Sequence, residues 1–511
     1  MADRSWDVVL FGEVSRRIMG RPLGMYRIAN HLREKNYQVK CIWLWRHLDN
    51  QTFDQAVKDH ITPGVRVVGI SATVMFTMDR QGGHKFFGIT DEEFTRRCLL
   101  IKKHAPNAKI VVGGAQIAYS DVSSLKKYKE VDYFVSGQGE SIAVNLVDSL
   151  LNDRKPPSND ITRPYVISDK FYPFSEFPSS KNLFQHYDGI LYKEPLPLEI
   201  ARGCIFKCSF CSYDLLGKNP NDYTKTLENL KREFRHNYDL HRTTDYYIVD
   251  DIINESDDKV NLLYEAAQSM PFEMHFSGYL RLDLVRHAPD RMKKLKDIGL
   301  YAGFFGIETV NDRSGKAVGK GLGVKRIDEA FDVMNDIYGD KFWGEAGMIM
   351  GLPYDDPDTK FRVMEWANQP LTASVIRKLS VQPLGILPNH GHSEIDRNPG
   401  RYGYSVLPSD NNYIRLDSVP WKTQYYDSEQ ANTDAWWIWE NMKKSRPWSH
   451  AMCVWSLATY IFMDDKNSRQ QVLDYARYNL GPENFDDWQS RMKTLHDQTR
   501  KRYLDAMSNY K

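Results

Sequence analysis

No stretch of this sequence approaches the unbroken apolar length that a helix needs to span a bilayer. Its opening apolar run is too short for a secretory signal and carries an acid on each side. Neither sign of charge dominates. Against 68 Lys and Arg stand 67 Asp and Glu, a net charge of +1, which speaks against a phosphate-tracking surface or an acidic tail. Nucleic acid and membrane are therefore not expected partners. Cysteine is scarce, six in 511 residues. Cys204, Cys208 and Cys211 crowd together while Cys41, Cys98 and Cys453 are scattered. That is no disulfide framework, and a reducing cytoplasm is expected. Internal repeats and low-complexity tracts are lacking too.

What is present fits a folded protein of more than one core: 41% apolar and 26% charged residues over a length too great for one ordinary domain. Short β-branched runs at 8–11, 39–44, 65–71, 109–112 and 132–135 alternate with amphipathic stretches at 25–35, 91–104 and 141–151. Near-continuous apolar strands separated by helices predict a parallel, doubly wound, Rossmann-like sheet over 1–152. Ligands of such sheets sit beyond the carboxyl ends of the strands. Those ends carry Ser71, Gly113-Gly114 and Gly137-Gln138-Gly139-Glu140; from spacing alone the glycines read as tight turns.

Residues 153–194, rich in Pro, Ser, Asp and Lys, read as a linker. A second alternation follows over 195–390, with strands at 198–201, 245–249, 273–279, 301–307, 342–350 and 375–381. Helical patterns fall between, for example at 226–238, 259–270, 290–298 and 324–338. Six such units predict a partial (β/α)6 barrel, with its chemistry at the carboxyl ends of the strands. Over 391–511 the alternation stops. This part holds Trp436, Trp437 and Trp439 and reads as mainly helical: helices packed on an aromatic core, or a lid over the site. The fold class expected is α/β.

The stretch Glu199-Ile-Ala-Arg-Gly-Cys204-Ile-Phe-Lys-Cys208-Ser-Phe-Cys211 carries the chemistry. Three thiolates spaced C-x3-C-x2-C on one loop can bind three corners of an iron–sulfur cube and leave the fourth iron open. A structural zinc would want a fourth ligand nearby, and the nearest histidine is His236, well down the next helix.

C-x3-C-x-aromatic-C after a first barrel strand resembles the signature of the radical S-adenosylmethionine (SAM) superfamily. The resemblance implies a [4Fe-4S] cluster on Cys204, Cys208 and Cys211, with SAM chelated at the open iron and cleaved by one electron from the cluster. It implies an external electron donor such as flavodoxin or ferredoxin. Further matches are Val249-Asp250-Asp251, Tyr279-Leu-Arg281-Leu-Asp283, Gly306-Ile-Glu308 and Met348-Ile-Met-Gly351-Leu-Pro353. By resemblance Phe210 would lie beside the adenine. Asp251, Arg281 and Glu308 would hold the amine, ribose and carboxylate groups of SAM. Asp250 and Glu308 also read as ion-pair or cap residues. The family's Gly-Gly-Glu after strand two is replaced by Val-Asp-Asp.

The amino-terminal stretches Arg21–Arg33, Val68–Ser71, Ile110–Gly114 and Val131–Glu140 resemble the cobalamin-binding domain upstream of the barrel in one radical SAM subclass. Ser71, Gly113, Gly114, Gly137, Gly139 and Glu140 are the implied cobalamin contacts. The Asp-x-His-x-x-Gly motif of other cobalamin folds is absent: Phe11-Gly12-Glu13-Val14-Ser15 stands there, with no histidine before His31. No histidine of that loop is expected on cobalt. His84 reads as a loop histidine or as one facing the corrin.

The resemblance implies a cobalamin-dependent methyltransferase acting on an unactivated carbon of a small molecule, through a 5′-deoxyadenosyl radical and methylcobalamin. Two alternatives stand beside it. One is a rearrangement, cyclisation or oxidation with the same cofactors; the other is a non-catalytic iron–sulfur or cobalamin binding protein, to which a set of SAM motifs would be of no use.

Overall fold

A computed structural model describes residues 5–12, 20–43, 45, 48–72, 89–114, 117, 125–137, 139–156, 163–168, 181–211, 223–320, 323–387, 393–408, 419–445 and 485–509. Two parallel six-stranded sheets organise them. The first is built from β1 (Val8–Phe11), β2 (Val39–Ile42), β3 (Val67–Ser71), β4 (Lys109–Gly113), β5 (Tyr133–Ser136) and β6 (Tyr165–Ser168), in the order β2-β1-β3-β4-β5-β6. Every residue of β1 and β2 is buried, as a sheet covered on both faces requires. The covering helices are α1 (Leu23–Glu34), α2 (Asn50–His60), α3 (Asp91–His104) and α4 (Gly139–Leu151). Helix α3 shows why they form where they do. The Thr90 side chain accepts from the Glu93 N–H, acids fill the first turn, and Lys102, Lys103 and His104 fill the last.

One sequence expectation needs correction here. Residues 153–194 are not simply a linker, because 165–168 form β6 and pair in register with β5. Four residues, Tyr-Val-Ile-Ser, are too short to stand out beside a polar, proline-rich surround.

The second sheet runs in sequence order through β7 (Leu196–Leu198), β8 (Asp245–Ile248), β9 (His275–Leu280), β10 (Leu300–Glu308), β11 (Trp343–Met350) and β12 (Ile376–Pro383). Between them lie α5 (Leu227–His241), α6 (Asp257–Gln268), α7 (Leu282–His287), α8 (Pro289–Asp297), α9 (Asp312–Ala317), α10 (Val324–Tyr338), α11 (Thr359–Ala367) and α12 (Pro370–Val375). This is an open parallel barrel.

The carboxyl-terminal part adds α13 (Glu394–Arg397), a two-stranded antiparallel pair β13 (Ser405–Val406) and β14 (Trp421–Lys422), and helices α14 (Ser428–Ser445) and α15 (Phe485–Asn509). It seals the end of β11. The buried Trp421 indole donates to the Leu384 carbonyl, and Tyr404 Oη donates to the Gly351 carbonyl. From α15, Tyr503 packs edge-on against Trp43 at 4.5 Å, returning the chain to the first sheet. Among the described residues no helix is long and apolar enough to cross a membrane.

Candidate functional site

The strand order places β1 at the point where the first sheet reverses direction, between β2 and β3. Open parallel sheets leave a crevice there. A cavity of about 500 Å³ fills it. All six residues picked out at the strand ends line this cavity: Ser71, Gly113, Gly114, Gly137, Gly139 and Glu140. Two of the glycines are required by backbone geometry. Gly114 and Gly137 have φ of 115° and 123°, values that a side chain rarely tolerates. At Gly113 an added Cβ would meet Val135 at 3.4 Å, an ordinary contact. That position therefore needs no glycine for the fold, and what it preserves is open space.

The opposite wall comes from the barrel: Glu199, Ala201, Arg202 and Gly203 after β7, and Val249, Asp250 and Asp251 after β8. Asp250 itself is committed to structure. It is buried, accepts the N–H groups of Ile200 (2.7 Å) and Ala201 (2.9 Å), and pairs with Lys259 at 2.8 Å. It ties the ends of β7 and β8 together. Asp251 is half-buried and faces the cavity.

The cysteine loop leaves this wall through Gly203. Cys204 is buried, and Cys208 and Cys211 are half-buried. Burial pushes the Cys204 thiol up to about 12, so the thiolate form needs a compensating positive charge. Three hydrogen bonds pin the loop. The Cys211 N–H donates to the Cys208 carbonyl, the Ser209 N–H to the Val318 carbonyl, and the Ile395 N–H to the Ser209 carbonyl. Cys41 is buried on β2 of the first sheet and Cys98 on its covering helix α3; Cys453, His84, Gln138 and Tyr213 lie outside the described residues. Among the described residues no three His, Cys, Asp or Glu side chains converge as a single metal ion requires. A cube takes each thiolate on a different iron and makes no such demand, so the donor set suits a cluster.

Arg281, at the end of β9, reaches over this loop. Its guanidinium lies 3.9 Å from the centre of the Phe206 ring. Nη1 is 3.4 Å from Cys208 Sγ, Nη2 is 3.3 Å from the Gly319 carbonyl, and Nε donates to both oxygens of Asp283. Glu308, the last residue of β10, sits at a register shift between Gly306 and Glu308 with φ of 69°. A half-buried, non-glycine side chain held in the left-handed region stores strain, and such strain gathers at functional sites. Burial raises its carboxyl pKa, with Lys320 and Arg281 opposing. Lys320 stands 3.3 Å away and also donates to the Gly306 carbonyl. The ion-pair reading of Glu308 is thus realised, by a lysine that sequence reasoning passed over. Its only local signal is a position between two glycines. Phe210 is half-buried and packs against the core.

Residues 198–367 match the radical SAM superfamily. Two curated relatives are similar in sequence. An uncharacterized methyltransferase of Pyrococcus horikoshii is 24% identical over 327 residues, 59% of this chain and 64% of the relative. The anaerobic magnesium-protoporphyrin IX monomethyl ester cyclase of Cereibacter sphaeroides is 22% identical, over 52% of this chain and 45% of the relative. The chain thus spans less than two thirds of either. Among solved structures, the radical SAM methyltransferase TsrM of Kitasatospora setae, with cobalamin and a [4Fe-4S] cluster bound, aligns with a TM-score of 0.62. It shares 13% identity over 92% of this chain and 99% of that one. The cobalamin-dependent radical enzyme OxsB, with aqua-cobalamin and SAM bound, aligns at 0.60 with 14% identity, over 99% of this chain and 83% of that one. At these identities the likeness is one of fold.

Proposed function

With residues 198–367 forming a radical SAM domain, we propose that this chain is a cobalamin-dependent radical SAM enzyme that methylates an unactivated carbon of a small molecule. One observation carries the reading: the glycine-lined crevice of the first sheet opens onto the segment that leads into the cysteine loop. Two cofactors would there meet across one cavity.

In this reading Cys204, Cys208 and Cys211 hold a [4Fe-4S] cluster, and Phe210, Asp251, Arg281 and Glu308 surround SAM. Ser71, Gly113, Gly114, Gly137, Gly139 and Glu140 border the cobalamin. When bound, the cluster supplies the electron that cleaves SAM, and cobalamin carries the methyl group. The chain's part is to hold them in register and keep water out. Strand-end glycines let a flat ring approach the sheet, and the apolar wall of Leu10, Phe11, Met25 and Ile28 excludes solvent from one side. Glu308 would accept from the ammonium group of SAM. The electron would come from a soluble donor such as flavodoxin or ferredoxin, in a cytoplasmic setting.

The cyclase relative favours a second reading, in which the same cofactors serve a ring closure without methyl transfer. Anaerobic purification with iron and cobalamin supplied, followed by product analysis, decides. Methylation yields S-adenosylhomocysteine alongside 5′-deoxyadenosine, which carries off the abstracted hydrogen, and a product with a methyl group in that hydrogen's place. 5′-Deoxyadenosine without S-adenosylhomocysteine favours the ring closure. A protein that takes up iron and cobalamin yet leaves SAM intact under reductant would be a carrier, and the proposal would fail. Cys204→Ala, Cys208→Ala and Cys211→Ala should each abolish the cluster absorbance, whereas Cys41→Ala and Cys98→Ala should keep it.

A further inference from the structure

Two arginines and two glutamates close a ring of alternating charge across the seam between the two sheets. Arg27 comes from α1 and Glu140 from the first turn of α4, both of the first sheet's helices. Glu199 and Arg202 follow β7 in the barrel. Arg27 Nη1 donates to Glu199 Oε2. Arg202 Nε lies 2.8 Å from Glu199 Oε1, Arg202 Nη2 2.5 Å from Glu140 Oε1, and Arg27 Nε 3.5 Å from the same Glu140 oxygen. The side chains of Arg27 and Glu140 are 1% and 7% exposed, and those of Glu199 and Arg202 10% and 23%.

A ring so placed is poorly explained as a source of stability. Desolvating four charges cancels much of what their attraction returns, and an apolar seam of equal volume would hold the halves together as well or better. What alternation adds is orientation. Arg27 reaches Glu199 and Glu140 reaches Arg202, so each half supplies the countercharge for the other. A rotation or slip of one sheet against the other would leave buried charges unpaired. The ring also stands at a telling place. Glu140, Glu199 and Arg202 line the cavity, and Arg202 precedes Cys204 by only two residues.

We propose that this ring is the positioning device of the two-cofactor site: it fixes the cavity against the cysteine loop, and its cavity-lining carboxylates and guanidinium hold the amide-bearing rim of the corrin. The inference rests on the cobalamin reading above. Primary amides both donate and accept; Glu140 and Glu199 offer acceptors, and Arg202 offers donors, on one wall. Arg27, behind them, is set against both carboxylates and keeps them aimed. None of the four is required to touch iron or SAM.

The test uses the full chain, purified anaerobically with its iron. Hydroxocobalamin is titrated in by visible absorbance against wild type, Arg202→Met, the near-isosteric Glu140→Gln, the double variant, and Arg33→Met. The last breaks a partly buried pair with Asp188 at 2.6 Å whose members are not among the cavity-lining residues, and so controls for general loosening. Iron content should stay at the wild-type level throughout. Arg202→Met and Glu140→Gln should each weaken cobalamin binding about tenfold, roughly the effect of one polar contact. The double variant should lose less than the product of the two, because each single change strands the other's partner. Arg33→Met should lower the melting temperature and leave cobalamin affinity alone. In the cob(II)alamin form, dipolar broadening between cobalt and the reduced cluster should vary among molecules of Arg202→Met and be uniform in wild type. Wild-type affinity in both single variants, or an equal loss in Arg33→Met, would overturn the ring's role while leaving the function standing. A wild-type chain that takes up iron but no cobalamin would remove both together.

Discussion

Nη1 of Arg281 stands 3.4 Å from Sγ of Cys208, which sets a guanidinium directly over one thiol of the cysteine loop. The same guanidinium covers Phe206 and is anchored by Asp283 through Nε. A fixed cation over a thiolate stabilises the more negative state of whatever that thiolate binds. Arg281→Met keeps the apolar stem and removes donor and charge. The cluster should still assemble, and its reduction potential should fall. A hydrogen bond to a charged group is worth about 1.5–3 kcal/mol, and a one-electron couple moves about 59 mV per tenfold change; a drop on the order of 60–120 mV is expected. A spectroscopic redox titration reads it directly, and an unchanged potential would assign Arg281 to packing alone.

Glu308 and Lys320 separate a SAM contact from a plain ion pair. Glu308→Gln keeps size and one acceptor oxygen and loses the charge. If the carboxylate receives the ammonium group of SAM, affinity should fall about tenfold, near 1.4 kcal/mol. Lys320→Met removes the partner 3.3 Å away and leaves the carboxylate in place. It should lower stability by about 1–3 kcal/mol through the stranded carboxylate and leave SAM affinity within about threefold of wild type. Equal losses of melting temperature in the two variants, with SAM binding untouched in both, would make the pair purely structural.

The two kinds of cavity glycine should respond differently. Gly113→Ala meets only an ordinary contact with Val135, so the fold should tolerate it while the methyl group occupies cofactor space. Cobalamin affinity should drop with a melting temperature close to wild type. Gly137→Ala forces a side chain onto φ of 123° and should cost about 1–3 kcal/mol of stability as well. Calorimetry beside a cobalamin titration distinguishes them.

Asp355 carries a pH dependence. It follows β11, and its Oδ2 accepts the N–H groups of Gly351 and Leu352 at 2.9 and 3.0 Å. Oδ1 is buried without a hydrogen-bond partner among the described residues. Burial pushes the carboxyl up to about 7, against those two backbone donors. A carboxyl whose folded pKa exceeds its unfolded value favours the folded state while protonated. That contribution is complete below the unfolded value near 3.8 and is lost as pH rises towards 7. Asp355→Asn cannot ionise and should be more stable than wild type near pH 8 by about 1–3 kcal/mol, with the gap closing near pH 4. Urea denaturation at the two pH values checks the slope.

Much of the architecture could be read locally. Apolar strands such as Val8–Phe11 and Lys109–Gly113, set between amphipathic helices, identify parallel sheets because burial on both faces leaves no polar alternation. What escaped was short or embedded. Tyr165–Ser168 is four residues in polar surroundings, and the β13–β14 pair is two residues a side. The strand-end glycines of the first sheet read as turns by spacing; that they share one cavity with Ser71 and Glu140 follows from the crossover at β1.

The sequence alone determined the cysteine triad, the two β/α alternations and the glycine positions, since each is a matter of residue type at fixed short spacing. Tertiary structure decided which charges meet. Arg27 and Glu199 lie 172 positions apart, Glu140 and Arg202 62 apart, and Arg281 and Cys208 73 apart. The reason is physical: a charge leaves no periodic trace in a chain. Only burial, which removes water as the competing partner, obliges an arginine on α1 to find a carboxylate at the end of a barrel strand.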